Sequence, residues 1–191
     1  MFIDPSGHII QLSSDATKKE KQAYERAIAY LETSSIAADL ISRLIDHPEV
    51  FTVAFFYNEK TAYDYKTKTF QWDPTSGGVL ADGKSVFSAA LRLVHEMGHA
   101  SQHLDGYLDA FILSPTNKLR DEIEADNLKR HENPIAKDLG EFVRTNYLDG
   151  NNTYRVNTST DWGVIHTSKW WHFWRWGKPR ETLKNKNPWQ P

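Results

Sequence analysis

Apolar positions near the start of the chain recur at three- and four-residue spacing in two runs. Ala23, Ala27, Ile28, Tyr30 and Leu31 follow Asp15-Ala16-Thr17, which has N-cap chemistry, and predict a first helix. Ile36, Leu40, Ile41, Leu44 and Ile45 form one stripe of a second helix, from about Ser35 to Asp46, and Pro48 stops it. The pattern then changes. Val50 to Tyr57 is rich in β-branched and aromatic residues, and Lys68-Thr69-Phe70-Gln71-Trp72 alternates as a strand does before Asp73-Pro74 breaks it. Helical spacing returns from Ser85 through Val86, Ala89, Ala90, Leu93, Val94, Met97 and Ala100, ending at Gly106. Further helices are expected from about Asn117 to Arg130 and from Pro134 to about Asn146. The ten residues from Phe2 to Gln11 read as a hairpin or an extended lead-in.

The elements add up to an α+β fold: two N-terminal helices, a small, mostly antiparallel sheet, and a buried helix crossed by a later one. No repeat and no domain boundary is evident, so residues 1–191 read as a single domain. Its core spans about 15–155, and 156–191 forms a Trp-rich C-terminal extension. That extension holds Lys169-Trp170-Trp171-His172-Phe173-Trp174-Arg175-Trp176. Trp beside Lys and Arg suits a membrane interface, and the same rings also suit packing on the core.

Composition narrows the chemistry. With 23 Lys+Arg against 25 Asp+Glu, the formal net charge is −2, which argues against a basic nucleic-acid module. Cysteine is absent, so thiol nucleophiles, iron–sulfur clusters and cysteine zinc sites are all excluded. A transition metal would have to use His, Asp and Glu. No apolar run is long enough to span a membrane, and the N-terminus lacks the pattern of a cleaved signal peptide.

The informative segment is His95-Glu96-Met97-Gly98-His99. Within a helix, His95 and His99 project from one face about one turn apart, a spacing that lets both imidazoles bind one zinc ion. Glu96 is set to reach a water held there and act as general base, the H-E-x-x-H arrangement of metallopeptidases. Gly98, costly inside a helix, fits a place where another group approaches the backbone closely.

A catalytic zinc ion needs a third protein ligand and keeps its fourth position for water. A histidine six residues after His99 would serve, but that position is Asp105, and His103 comes too early. Asp109 in Gly106-Tyr107-Leu108-Asp109 leaves the chain little room to turn back. The segment Arg120-Asp121-Glu122-Ile123-Glu124-Ala125-Asp126 is the better source. Glu122 and Asp126 share a face, so Glu122 is the favoured ligand and Asp126 a partner for the outer N–H of a ligand histidine. Glu124, which by spacing points away from that face, Glu132 and Glu141 are the alternatives. For a donor to the oxyanion the candidates are Tyr147, Arg144 and His166, Tyr147 first. The strand Lys68 to Trp72 is a candidate edge for an extended peptide substrate.

Glu122-x-x-Ala125-Asp126 after the histidine motif is similar to the pattern of HtpX-like and CAAX-prenyl proteases. A wider likeness runs through Ala23 to Leu31, Trp72 to Gly77, His95 to Ala100, Glu132-Asn133-Pro134-Ile135-Ala136, and Leu139-Gly140-Glu141 to Arg144 and Tyr147. Over roughly residues 20–150 the chain thereby resembles the NleD-like effector zinc metalloproteases. The resemblance implies a zincin-like fold of the small gluzincin type, with Zn2+ on His95, His99 and Glu122 and with Glu96 as base. It further implies a peptide or protein substrate and delivery into another cell as a type III or type VI effector without a signal peptide. A VgrG- or Rhs-like carrier and an immunity protein would be its partners.

Overall fold

Thr17 begins the first helix, α1 (Lys18–Leu31), with a reciprocal cap: its hydroxyl oxygen accepts from the Glu20 amide, and the Glu20 carboxylate accepts from the Thr17 amide at 2.7 Å. Tyr24, Ala27, Ile28 and Leu31 form its buried stripe. Helix α2 (Ser35–Ile45) starts at the Ser34 cap and buries Ala37, Leu40, Ile41 and Leu44. Both helices follow the apolar spacing of the sequence. The computed structural model describes residues 10–57, 60–113, 115–145, 150, 152–168 and 180–189. The lead-in before Ile10, Tyr147 and the run Lys169 to Trp176 with its His172 lie outside the described residues.

Two sheets flank the helices. The first contains β1 (Ile10–Leu12), β2 (Phe51–Phe55), β3 (Ala62–Asp64) and β4 (Thr69–Trp72), in the order β1-β2-β4-β3. Strand β2 runs parallel to both β1 and β4, and only β3 pairs antiparallel with β4. In this sheet the expected antiparallel pairing holds only between β3 and β4, whereas most pairings in the two sheets together are antiparallel as expected. Alternation of side chains reports a strand but not its direction, and the chain passes beyond β4's position to form β3 before returning as β4. The second sheet is antiparallel throughout, with order β7-β5-β6-β8-β9. Its strands are β5 (Ser76–Val79), β6 (Ser85–Phe87), β7 (Asn152–Arg155), β8 (Gly163–Ser168) and β9 (Arg180–Asn185). Val156 and Trp162 join the core, so this sheet continues past residue 155, where the sequence suggests the core ends.

Helix α3 (Ala89–Leu104) is the centre of the fold, with Leu93, Val94, Met97 and Ala100 wholly buried. It starts later than its periodicity suggests, because Ser85, Val86 and Phe87 pair as β6. Ser88 caps it, accepting from the Leu91 amide at 3.0 Å, and the Trp72 indole N–H donates to the Ala89 carbonyl at 2.8 Å.

After α4 (Asp109–Leu113) comes α5 (Asn117–Asn127), which runs into a π-helical turn, Leu128–Glu132, and then into α6 (Asn133–Asp138). The two expected helices are thus one continuous rod with a wide turn inside it. It also stops well short of Asn146: Gly140 has φ 72°, a conformation that favours glycine, and it turns the chain back toward α3. Glu141 then accepts from the Ser88 amide and hydroxyl, both at 2.7 Å, and from the Tyr30 hydroxyl at 2.9 Å. The architecture is α+β.

Candidate metal centre

His95 and His99 stand one turn apart on α3, with their Nε2 atoms 3.1 Å from each other. Glu124 on α5 completes a triangle, its Oε2 lying 3.4 Å from His95 Nε2 and 3.3 Å from His99 Nε2. In a tetrahedral zinc site with donors about 2.0–2.1 Å from the ion, neighbouring donors stand about 3.3–3.4 Å apart. The triangle has that size. Glu124 Oε2 is buried and makes no well-formed hydrogen bond; its neighbours are these two imidazole nitrogens, at distances that suit a shared cation. Among the described residues, His95, His99 and Glu124 form the group able to hold a metal ion.

Glu122, the ligand favoured from sequence, does not belong to this group. Its side chain is 51% exposed and lies 3.8 Å from Lys118 Nζ. The buried face of α5 is made by Ile123, Glu124 and Asn127, and Glu122 falls on the outer side. Glu122 and Asp126 share a side of the helix by spacing, but only Asp126 reaches inward, accepting from Gln102, while Glu122 lies in solvent. Ile123 was the better guide, since the apolar residue of a polar helix marks the face turned inward.

Two further shells orient the histidines. His95 Nδ1 lies 2.6 Å from Glu132 Oε2. The Arg144 Nε donates to Glu132 Oε1 at 2.6 Å, and Arg144 also pairs with Oε2 of the same carboxylate. Arg144, a candidate oxyanion donor, is thus engaged by Glu132. Such a carboxylate behind a ligand histidine fixes the ring and raises its basicity. His99 Nδ1 lies 2.9 Å from Gln102 Oε1, whose amide donates to Asp126 Oδ2 at 2.8 Å. Asp126 therefore supports His99 through Gln102 instead of directly. Asn127 Nδ2 donates to the His95 carbonyl at 2.8 Å, laying its side chain across α3. A Cβ at position 98 would collide with Asn127 Oδ1, which explains Gly98.

Electrostatics favour a cation at the centre. Burial would push the Glu124 carboxyl up, but the two imidazoles outweigh it and hold it at about 2. Glu132 is likewise buried, and Arg144 and His95 bring it down to about 2. The His95 ring, which burial alone would keep neutral, is drawn up to about 9 by Glu132 and Glu124. The same excess of negative charge that attracts a proton to His95 attracts a divalent ion. Glu96 is different: burial pushes its carboxyl up against the opposing pull of His95 and His99.

His95, Glu96, His99 and Glu124 all line one cleft of ≈ 330 Å³, together with Tyr63, Phe87, Arg92 and Phe111. Other candidates lie elsewhere. His103 Nδ1 is 3.0 Å from the Tyr63 hydroxyl, and Asp105 pairs with Arg43 at 2.6 Å. Asp109 begins α4, Glu141 caps α3, and His166 is exposed on β8. Strand β4 has both edges occupied, by β2 and β3, so it cannot receive a substrate strand; among the described residues β3 is the edge strand on that side of the sheet, and Ala62 and Tyr63 on it line the cleft. No protein-family profile, no curated protein and no solved structure matches this chain.

Proposed function

We propose that the chain is a zinc-dependent metallopeptidase with a zincin-like fold. The observation that carries this reading is the triangle of His95 Nε2, His99 Nε2 and Glu124 Oε2, with edges of 3.1, 3.3 and 3.4 Å, beside a buried Glu96 in an open cleft. A zinc ion bound by these residues would polarise a peptide carbonyl and acidify water. Two histidines and one carboxylate leave a fourth position for water or substrate, as catalytic sites require.

The chain's own residues do the rest. Glu96, with its carboxyl raised by burial, takes a proton from water as the water oxygen bonds to the carbonyl carbon. It returns that proton to the amine nitrogen as the C–N bond breaks, so one water is consumed and Glu96 is regenerated. Glu132 and Gln102 hold the two imidazoles in place, and β3, which has no second neighbour among the described residues, would offer backbone groups to an extended peptide. The resemblance to effector proteases adds the expectation that the substrate is a protein of a recipient cell.

The test is Glu96→Gln. It is expected to bind zinc as the wild type does and to lose hydrolysis of a casein or peptide-library substrate by at least about a hundredfold. Full activity in that variant would end the mechanism.

A further inference from the structure

The charged residues lining the cleft are unequal. Lys60, Arg92, Arg120 and Arg144 face it against the carboxylates of Glu96 and Glu124. On the reading above, Glu124 is committed to the metal and Glu96 to proton transfer. Arg144 is already neutralised by Glu132 behind the site, and Arg120 lies 3.5 Å from Asp121. Among the described residues neither Lys60 nor Arg92 has such a partner, but Lys60 is exposed to solvent and Arg92 is partly buried. Its Nη1 donates to the Ser76 hydroxyl at 2.8 Å and to the Ser76 carbonyl at 3.3 Å, both neutral acceptors. Among the described residues no carboxylate comes within ion-pair distance of it, although it feels Glu96 and, more weakly, Asp73 at longer range.

A partly buried guanidinium without a carboxylate is costly unless its position serves a ligand. Arg92 is held in that position: Ser76 on β5 engages one nitrogen and leaves the rest of the fork for another acceptor. It lies on α3 three residues before His95, so it is displaced only about 4.5 Å along the helix axis from the metal ligand. An extended peptide advances about 3.3 Å per residue. A carboxylate one or two residues from the bond at the metal site therefore comes within reach of the guanidinium.

We infer that the cleft takes acidic peptides, Arg92 receiving a substrate carboxylate close to the scissile bond. The inference rests on the peptidase reading and names its substrate class. The carboxylate can belong to an Asp or Glu side chain or to a free C-terminus; both present the same planar acceptor to a guanidinium.

Binding separates this inference from catalysis. Fluorescein-labelled hexapeptides carrying Asp, Asn or Lys at each position in turn, with free and amidated C-termini, are titrated by anisotropy against zinc-loaded Glu96→Gln protein. Asp peptides are expected to bind roughly tenfold or more tighter than their Asn twins at one or two adjacent positions. If amidation instead removes the gain, the carboxylate recognised is the chain terminus. Arg92→Gln on the same background is expected to abolish the preference, and Arg92→Lys to keep part of it. Equal binding of Asp and Asn peptides, or no binding of either, overturns the inference without reference to any Arg92 variant. Cleavage of the same peptides by wild-type protein is read in parallel. Acidic preference without cleavage would count against the peptidase reading alone, and cleavage without acidic preference against Arg92 alone.

Discussion

Glu124 and Glu132 grip opposite nitrogens of one ring: Glu124 Oε2 lies 3.4 Å from His95 Nε2, and Glu132 Oε2 lies 2.6 Å from His95 Nδ1. They are eight residues apart on one continuous rod. In an uninterrupted α-helix that separation would rotate the second side chain about 80° away from the first. The π-helical turn Leu128–Glu132 absorbs one extra residue and reduces the offset to about 20°. The wide turn is thus what brings both a candidate ligand and its supporting carboxylate to the same histidine.

Metal content distinguishes the two glutamates of α5. Wild-type protein is expected to hold about one zinc per chain by mass spectrometry, and His99→Ala and Glu124→Ala to lose it. Glu122→Ala should retain it in full, because that side chain faces solvent and Lys118. Retention in Glu124→Ala with loss in Glu122→Ala would reverse the assignment.

Glu132→Gln probes the support behind His95. The amide can still accept a hydrogen bond, but it cannot offset the charge of Arg144 or raise the basicity of the imidazole. Zinc affinity, measured by competition with a chelator of known strength, should fall about 10–100-fold. Unchanged affinity would mean that the packing of α3 alone orients the ring.

Gly98→Ala tests the close approach of α5 to α3. The new methyl would meet Asn127 Oδ1, so either the Asn127 side chain swings away and gives up the His95 carbonyl or the rod bearing Glu124 shifts outward. A loss of about 1–3 kcal/mol in urea unfolding is expected, together with weaker zinc binding. Alanine is ordinarily the better helix former, so a gain in stability would show that the contact is slack.

Much of the site is legible in the sequence. His95, Glu96 and His99 follow from spacing alone, because one helical turn dictates which side chains share a face, and Gly98 announces a close neighbour. The third ligand was not readable in the same way. Glu122 and Glu124 differ only in azimuth, and where Glu132 points depends on how α5 packs and on the π turn, which no local residue pattern announces. The direction of β2 against β4 was hidden for a similar reason, since pairing is settled by partners distant in sequence. Helices α1 and α2 were legible because amphipathic spacing and caps lie within a dozen residues. Arg92 carries no mark in the sequence: it is one more polar position on a buried helix, and only its place in the cleft singles it out.

Glu141 provides a test by pH that is independent of the metal. The carboxyl is 6% exposed and receives the Ser88 amide, the Ser88 hydroxyl and the Tyr30 hydroxyl. Burial dominates over these bonds and pushes it from an ordinary 4.5 up to about 7. When it is protonated, one of the two hydroxyls can rotate to accept its proton, so the network survives. The folded protein therefore holds a proton that the unfolded chain releases between about pH 4.5 and 7, and stability falls as pH rises through that window. The contribution is fully present below about pH 4.5 and lost above about pH 7, a swing of about 3 kcal/mol. Glu141→Gln removes this titration but keeps the shape. The stability of wild type minus that of Glu141→Gln, from urea melts at pH 4.5 and pH 8, should drop by about that amount. A difference that stays flat across the range would mean that Glu141 ionises at its ordinary pKa and that the Ser88 and Tyr30 bonds, not burial, govern it.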